Sequence, residues 1–452
     1  MGFREFITSR LFRRQLAADM ERHANIEPPA NPSRAYIDDL VQRLLDEDEA
    51  LDARKELSMI GAPAVPSLAA ALKDSRFREV QRKDLRVPAP VELVLGLLVA
   101  YGPEDLLAAA LPLVNSPSDE VRKTVAIQVA SLGRAETLPV LTKLLEDPNG
   151  YVRSYVQIGV MRALEEGRCS DEFRGGMYAA LLNQCDQDWP GNTNDAPRGV
   201  VALDAAKAAV DLGSPRWLSP DNHQAYRILE ACNGARIRLP EELLRRLLDN
   251  SLPLAVSDEC YPHQYVAAAA LEALARSIGE QARSLLEMTL ASDQDAIKES
   301  AAKGLALLAG IDDPVHFALD RERDVGFDGL TAPQRVVYCA FLFDMEVCNG
   351  GILQFFGNSS GNYAAETLEA LRELGVPEAY NALETAMNLV GPLSREPDRE
   401  GRLAAFEDRY DELQEKFAPL ESEFYGTTGQ FRQRLLLYAV EHPEHFRTDG
   451  PA

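Results

Sequence analysis

From Tyr36 to about Gly310 the chain alternates apolar stripes at helical spacing with short polar breaks. The clearest stretch is DEVRKTVAIQVASLGRAETLPVLTKLLEDPNGYVRS, starting at Asp119. Val121, Val125, Val129 and Leu132 fall at i, i+4, i+8 and i+11, one face of a helix. Gly133 ends that helix. Leu138, Leu141, Leu144 and Leu145 stripe a second one, and Asp147-Pro148-Asn149-Gly150 turns the chain into the next unit. Val121-Arg122 returns as Val152-Arg153, 31 residues later, and Ile297-Lys298 follows Val266-Ala267 by the same interval. A weaker unit begins at Ile60. Two helices per period of about 31 predict an all-α solenoid, because each helix pair exposes an apolar face that only the next pair covers.

The Asp and Val-Arg positions at the inter-unit turn resemble HEAT repeats. Such an array implies a long concave surface suited to binding proteins, with no obligatory pocket. The acidic run Asp46–Glu49 and the pair Glu241-Glu242 either join that surface or are ordinary solvated helix. Residues 183–200 and 213–223 are rich in Pro, Gly, Asn and Asp and are expected as inter-repeat loops. Trp189, in the first, is either a contact residue or tucked onto the stack. Residues 1–34 carry Phe3, Phe6, Ile7, Leu11 and Phe12 at helical spacing, flanked by four arginines. They are expected as a helical arm capping the array, the alternative being a membrane-surface helix.

A different pattern begins near Leu330. Ala340–Val347 is apolar at helical spacing, and Asn349-Gly350-Gly351 should stop that helix. Ile352–Phe356 is a short apolar turn that must be buried. Asn358-Ser359-Ser360-Gly361 is a second break, and a new helix runs to Gly375. Asn349-Gly350-Gly351, Gln354-Phe355-Phe356 and Asn358-Ser359-Ser360-Gly361 together resemble the signature of the DNA-mimic protein domain family, over Leu330 to Phe446. The resemblance implies a small all-helical bacterial domain whose acidic surface imitates duplex DNA and occupies the DNA-binding face of a transcription regulator. Asn349, Gly350, Gly351, Gln354, Asn358, Ser359 and Gly361 are read as structural, satisfying backbone groups at helix ends; the alternative is a polar catalytic site.

Charge sharpens this picture. The chain has 47 basic and 71 acidic residues, a formal net charge of −24. Phosphate is repelled by such a surface, so direct nucleic-acid binding is disfavoured and a basic partner favoured. Residues 330–452 carry 20 acidic and 10 basic residues, nearly twice the charge density of the rest. Over Arg399–Phe417, read as one helix, Leu403, Phe406, Tyr410, Leu413 and Phe417 share one arc. Glu400, Glu407, Asp408, Asp411, Glu412 and Glu415 share the opposite arc, with Arg402, Arg409 and Lys416 on a flank. Carboxylates at i, i+4 and i+8 (Glu407, Asp411, Glu415) recur about every 6 Å, close to the spacing of phosphates along a strand. Glu366, Glu369 and Glu373 form a weaker row, interrupted by Arg372. Either row can equally be a solvated helix face.

Known catalytic chemistry finds no footing. The sequence has no GxxxxGK[ST], GxSxG or HExxH, and His442 and His445 lack a third ligand, so no metal or cofactor is expected. Six scattered cysteines without a CxxC pair fit a reducing cytoplasm. No signal-peptide core or membrane-length apolar run is evident, so no membrane association is expected. The expected organisation is an arm (1–34), a HEAT-like array (35–315), a linker (316–330) and an acidic helical domain (331–452). The function this implies is a non-enzymatic adaptor. Its acidic domain would bind a basic, DNA-binding protein, and a homodimer through that domain is compatible with this, since small domains often mimic duplex DNA more easily as a dimer. The alternative is a scaffold or immunity-type protein that binds its partner through the concave repeat surface.

Overall fold

The computed structural model describes residues 28–79, 87–185, 187, 195–222, 224–255, 261–395, 399–407 and 409–447. Most of the arm, Trp189 and Asp408 lie outside the described residues, as does the side chain of Glu407. Every regular element among the described residues is helical. The chain forms two compact units, Met1–Trp217 and Leu218–Ala452.

In the first unit, helices Ala50–Ile60, Pro90–Tyr101, α1 (Asp119–Ala130), α3 (Gly150–Glu165) and Ala196–Leu203 pack in succession. Val65–Ala71, Pro103–Ala110, α2 (Leu138–Leu145) and Asp171–Leu182 make a second layer against them. The expected stripe holds: Val121, Val125, Val129 and Leu132 are buried, as are Leu141, Leu144 and Leu145. Leu138 is only half-buried. Ser118 caps α1 by accepting the Val121 amide, and Asn149 caps α3 by accepting the Tyr151 amide at 2.9 Å.

Polar groups reinforce the repeat. Arg122 forks onto Asp147, with Nε 2.7 Å and Nη2 3.1 Å from the two carboxylate oxygens. Asn149 Nδ2 donates to Asp119 Oδ2 at 2.6 Å, which joins one helix start to the next. Burial pushes the Asp147 carboxyl up, but the Arg122 guanidinium and the Asn149 amide outweigh it and hold the group below the usual carboxylate range.

The second unit continues the helix pairing through Ala225–Gly234, Glu241–Leu254, α4 (Tyr261–Ile278) and α5 (Asp295–Leu308). Val266 and Ile297, the periodic positions, are buried. The remaining labelled helices are α6 (Ala332–Gly357), α7 (Ala364–Leu374), α8 (Pro377–Val390), α9 (Arg399–Glu407), α10 (Tyr410–Tyr425) and α11 (Thr428–Glu441). The stretch expected as a linker, 316–330, includes most of the helix Pro314–Val325, capped by the Asp313 side chain on the His316 amide, with Ala318 buried. Helix α11 then packs directly on α5.

Helix α6 is the centre of this unit. Its length and apolar content would suffice to cross a membrane, but here it is largely buried in protein, with Phe343, Val347, Phe355 and Phe356 fully covered. Phe406, Phe417, Phe424 and Phe431 close over it, and Phe343 meets Phe355 and Phe424 edge-on with centroids 5.3 and 5.4 Å apart. Gly350 and Gly351 break α6 as the sequence predicts; Gly351 sits at φ +84, ψ 179, a conformation essentially confined to glycine.

The single helix expected over Arg399–Phe417 is two. Helix α9 ends at Glu407, and α10 starts at Tyr410 after Arg409 takes φ −118, ψ 7. No Gly or Pro marks this break. The tertiary fold imposes it: Arg409 Nη2 donates to the Leu389 carbonyl at 3.0 Å, and α10 lies against α6 and α8. Phe406, Leu413 and Phe417 keep their inward positions. Leu403 and Tyr410, placed in the same arc by the sequence, instead stand 41% and 52% exposed, and Arg402, expected on a flank, is fully buried.

Candidate functional site

The site is built on the two breaks of α6. Glu346, two residues after the buried Asp344, is itself buried on the apolar face of the helix. Its Oε2 accepts from Gln354 Nε2 at 2.7 Å and Asn358 Nδ2 at 2.9 Å, and its Oε1 accepts from Ser360 Oγ at 2.7 Å. Thus Gln354 and Asn358 do belong to an internal network, but its hub is a carboxylate rather than the backbone ends that sequence reasoning assigned to them. A buried carboxylate needs such donors, because unpaired it would cost several kcal/mol.

The second half of α6 is capped at both ends by distant charges. At its start, the Ile352 amide donates to Glu421 Oε1 at 2.7 Å, a carboxylate placed at the positive end of a helix. At its end, Arg402 donates to the carbonyls of Phe356 at 2.7 Å and Asn358 at 2.9 Å, and to Asn362 Oδ1 at 2.8 Å. Arg399 Nε donates to the Gly357 carbonyl at 2.8 Å. Gly361 is buried so close to the turn that a Cβ would lie 2.8 Å from the Phe356 oxygen. Ser359 and Asn349 are exposed.

Cations at helix C-termini recur through the domain. Arg434 donates to the Leu374 carbonyl, the end of α7; Arg409 to Leu389, at the end of α8; Arg447 to Ala309, just past α5. Each satisfies carbonyls that the helix leaves unpaired and complements its negative end. Two of them reach carboxylates as well: Arg409 lies 3.6 Å from Glu412 and Arg434 pairs with Glu441 at 2.8 Å.

The acidic positions now have addresses. Asp411, Glu412 and Glu415 are exposed on α10. Glu412 is paired with Lys416 at 2.6 Å, a pair that, with the Arg409 charge, lowers its pKa. Asp411 and Glu415 have no hydrogen-bonding or ionic partner among the described residues, and as i, i+4 neighbours they share one side of the helix. Glu400 is exposed on α9, and Glu407 is separated from Asp411 by the break, so the expected three-carboxylate row is a pair. On α7, Glu366 is exposed and unpaired, Glu369 pairs with Arg372, and Glu373 accepts from the Tyr438 hydroxyl. The two rows lie on different helices.

Sequence reasoning missed Glu346, Ser360, Arg402 and Glu421. Glu346 had a signal, a charge on the apolar face beside Phe343 and Val347. Arg402 had one too, lying four residues before the buried Phe406 and so on the same face of α9.

Among the described residues, no group of three or more His, Cys, Asp or Glu could hold a metal. Residues 328–442 match the family of DMP19-like proteins, which are DNA mimics, and residues 92–159 match HEAT repeats. Both families are non-catalytic. No curated protein matches the chain. A solved structure titled as an engineered protein aligns with 82% of this chain and 98% of its own at 16% identity, with a TM-score of 0.24, too low to carry an argument.

Proposed function

We propose that this protein is a cytoplasmic, non-enzymatic adaptor whose C-terminal domain presents carboxylates in place of DNA phosphates to a basic DNA-binding protein. The family of residues 328–442 supports this reading. The observation that carries it is the placement of charge: Glu366, Asp411 and Glu415 stand exposed with no ionic partner among the described residues, while Arg399, Arg402 and Arg447 are held on backbone carbonyls. Binding would be competitive with DNA and would weaken steeply as salt rises.

The test immobilises the full chain and challenges it with bacterial extract, with and without added duplex DNA. A DNA-binding protein should be retained at low salt, released by salt and by duplex, and lost from a bait carrying Asp411→Lys and Glu415→Lys. Retention that ignores salt, duplex and charge reversal would sink this reading.

One observation favours a second reading, in which the repeats carry the binding surface. Tyr151 and Ile158 are half exposed on α3, and Lys123 lies 5.8 and 5.9 Å from the rings of Tyr151 and Tyr155. Partner capture abolished by Tyr151→Ser with Ile158→Ser, and untouched by the charge reversal, would establish it.

A further inference from the structure

The break between α9 and α10 does more than interrupt the acidic row. On either side of it two large apolar side chains, Leu403 and Tyr410, stand 41% and 52% exposed. Between them and the first break of α6 lies an open cleft of about 540 Å³. Leu353, Leu403, Phe406 and Tyr410 supply its apolar lining, and Gly350 and Gly357 leave its wall free of side chains. Gln354 and Asn358, which also line it, are fixed by their bonds to Glu346. The lining is therefore pre-organised, and the volume falls within the range of about 300–1,000 Å³ usual for ligand pockets.

The charges around it choose the occupant. Asp411 follows Tyr410 directly and Glu415 stands one turn further on, both exposed and unpaired. Arg399, the one cation among the described residues that line the cleft, donates to the Gly357 carbonyl. An apolar cleft whose lining residue Tyr410 opens a helix carrying uncompensated carboxylates at Asp411 and Glu415 fits an apolar side chain on a basic segment.

We infer that this cleft is an anchor site for a partner's cationic amphipathic helix: one large aliphatic or aromatic side chain enters between Leu403 and Tyr410, and flanking Lys or Arg meet Asp411 and Glu415. This rests on the reading that the acidic domain binds a basic protein, and adds a salt-resistant component to it. Burying an apolar side chain is insensitive to ionic strength, whereas exposed ion pairs are screened. The anchor would also separate the chosen partner from other basic proteins, since charge alone discriminates poorly.

The experiment uses the full chain and two fluorescein-labelled synthetic peptides of equal length and charge. One carries Leu and Phe at i, i+3, i+4 and i+7 among Lys and Arg; the other has Ser at those positions. Anisotropy titrations are run at low and high salt. The apolar peptide should bind at least tenfold more tightly and keep measurable affinity at high salt. Leu403→Ser with Tyr410→Ser should reduce it to the level of the serine peptide, while Asp411→Lys with Glu415→Lys should weaken both peptides at low salt. Equal affinities that respond only to charge reversal would overturn the anchor and leave the mimic reading standing. If charge reversal changes neither peptide, the mimic reading falls and takes the basic occupant with it. A chain that sediments as a dimer, and as a monomer once Leu403 and Tyr410 are replaced, would show a second copy in the cleft and likewise overturn the proposal.

Discussion

Asn358 joins to Glu346 by its side chain at 2.9 Å, while its own carbonyl accepts from Arg402 at the same distance. Two buried charges of opposite sign thus grip one residue at the second break of α6 without touching each other in a direct pair. Replacing Glu346 by leucine would strand Gln354, Asn358 and Ser360 as donors at once. We expect a loss of a few kcal/mol, about 1–3 kcal/mol for each buried donor left without an acceptor, read from urea unfolding followed by the aromatic signal of this unit. Glu346→Gln keeps one acceptor and should lose less. Equal stability of the leucine variant would show the network to be dispensable.

The first break can be tested through Gly351 and Glu421. A Cβ at Gly351 would fall 2.4 Å from Glu421 Oε1, the atom that accepts the Ile352 amide, and the backbone there is at φ +84. Gly351→Ala should therefore strain the backbone and displace the cap together, lowering stability by about 2–4 kcal/mol. Glu421→Ala should lose only the cap, about 1 kcal/mol or somewhat more. In the double variant the two effects should fall short of their sum, because each removes the same carboxylate contact. Additive losses in thermal melts would contradict this arrangement.

In the repeats, Asp147 gives a dependence on pH. Its folded-state pKa is lowered, so the stabilisation it contributes is present above its unfolded value near 3.8 and is lost as pH falls through the lower folded value. Wild-type unfolding should steepen in acid below about pH 4. Arg122→Gln should remove about 2–3 kcal/mol at neutral pH and flatten the acid limb. A variant with the same acid dependence as wild type would assign that limb to other carboxylates.

Cys348 is exposed yet poorly ionised. Burial of part of the thiol pushes its pKa up to about 11, and the adjacent Asp344, to which Sγ donates at 3.4 Å, adds to the rise. Alkylation by iodoacetamide, mapped by peptide mass, should be slow at pH 8, because only about a thousandth of the thiol is then thiolate. The rate should climb about tenfold per pH unit toward the pKa. Asp344→Asn should move the profile to lower pH, since it removes a neighbouring negative charge and keeps Arg432. Rapid labelling at pH 8 would refute the shift.

Much of this architecture could be read from periodicity. The Val121–Leu132 stripe, the turn at Asp147–Gly150 and the halt at Gly350-Gly351 are local patterns, and local patterns are what sequence spacing records. The missed contacts of Arg402 and Glu421 are long-range. Arg402 reaches carbonyls more than forty residues away, and Glu421 reaches an amide 69 residues away. The α9–α10 break contains no breaker residue, yet it separates Glu407 and Leu403 on α9 from Asp411 and Tyr410 on α10. A single helical wheel drawn through it therefore does not hold for the acidic row.

The arginines at the helix ends have a consequence for how such a surface can change. Asp411 and Glu415 bear no helix end, so substituting them leaves the helices closed; Arg402 and Arg447 each hold a carbonyl at or just past a helix end, so substituting either opens that end. Under the proposed mimicry, the outward charge could therefore change at Asp411 and Glu415 without compensating mutations in the interior.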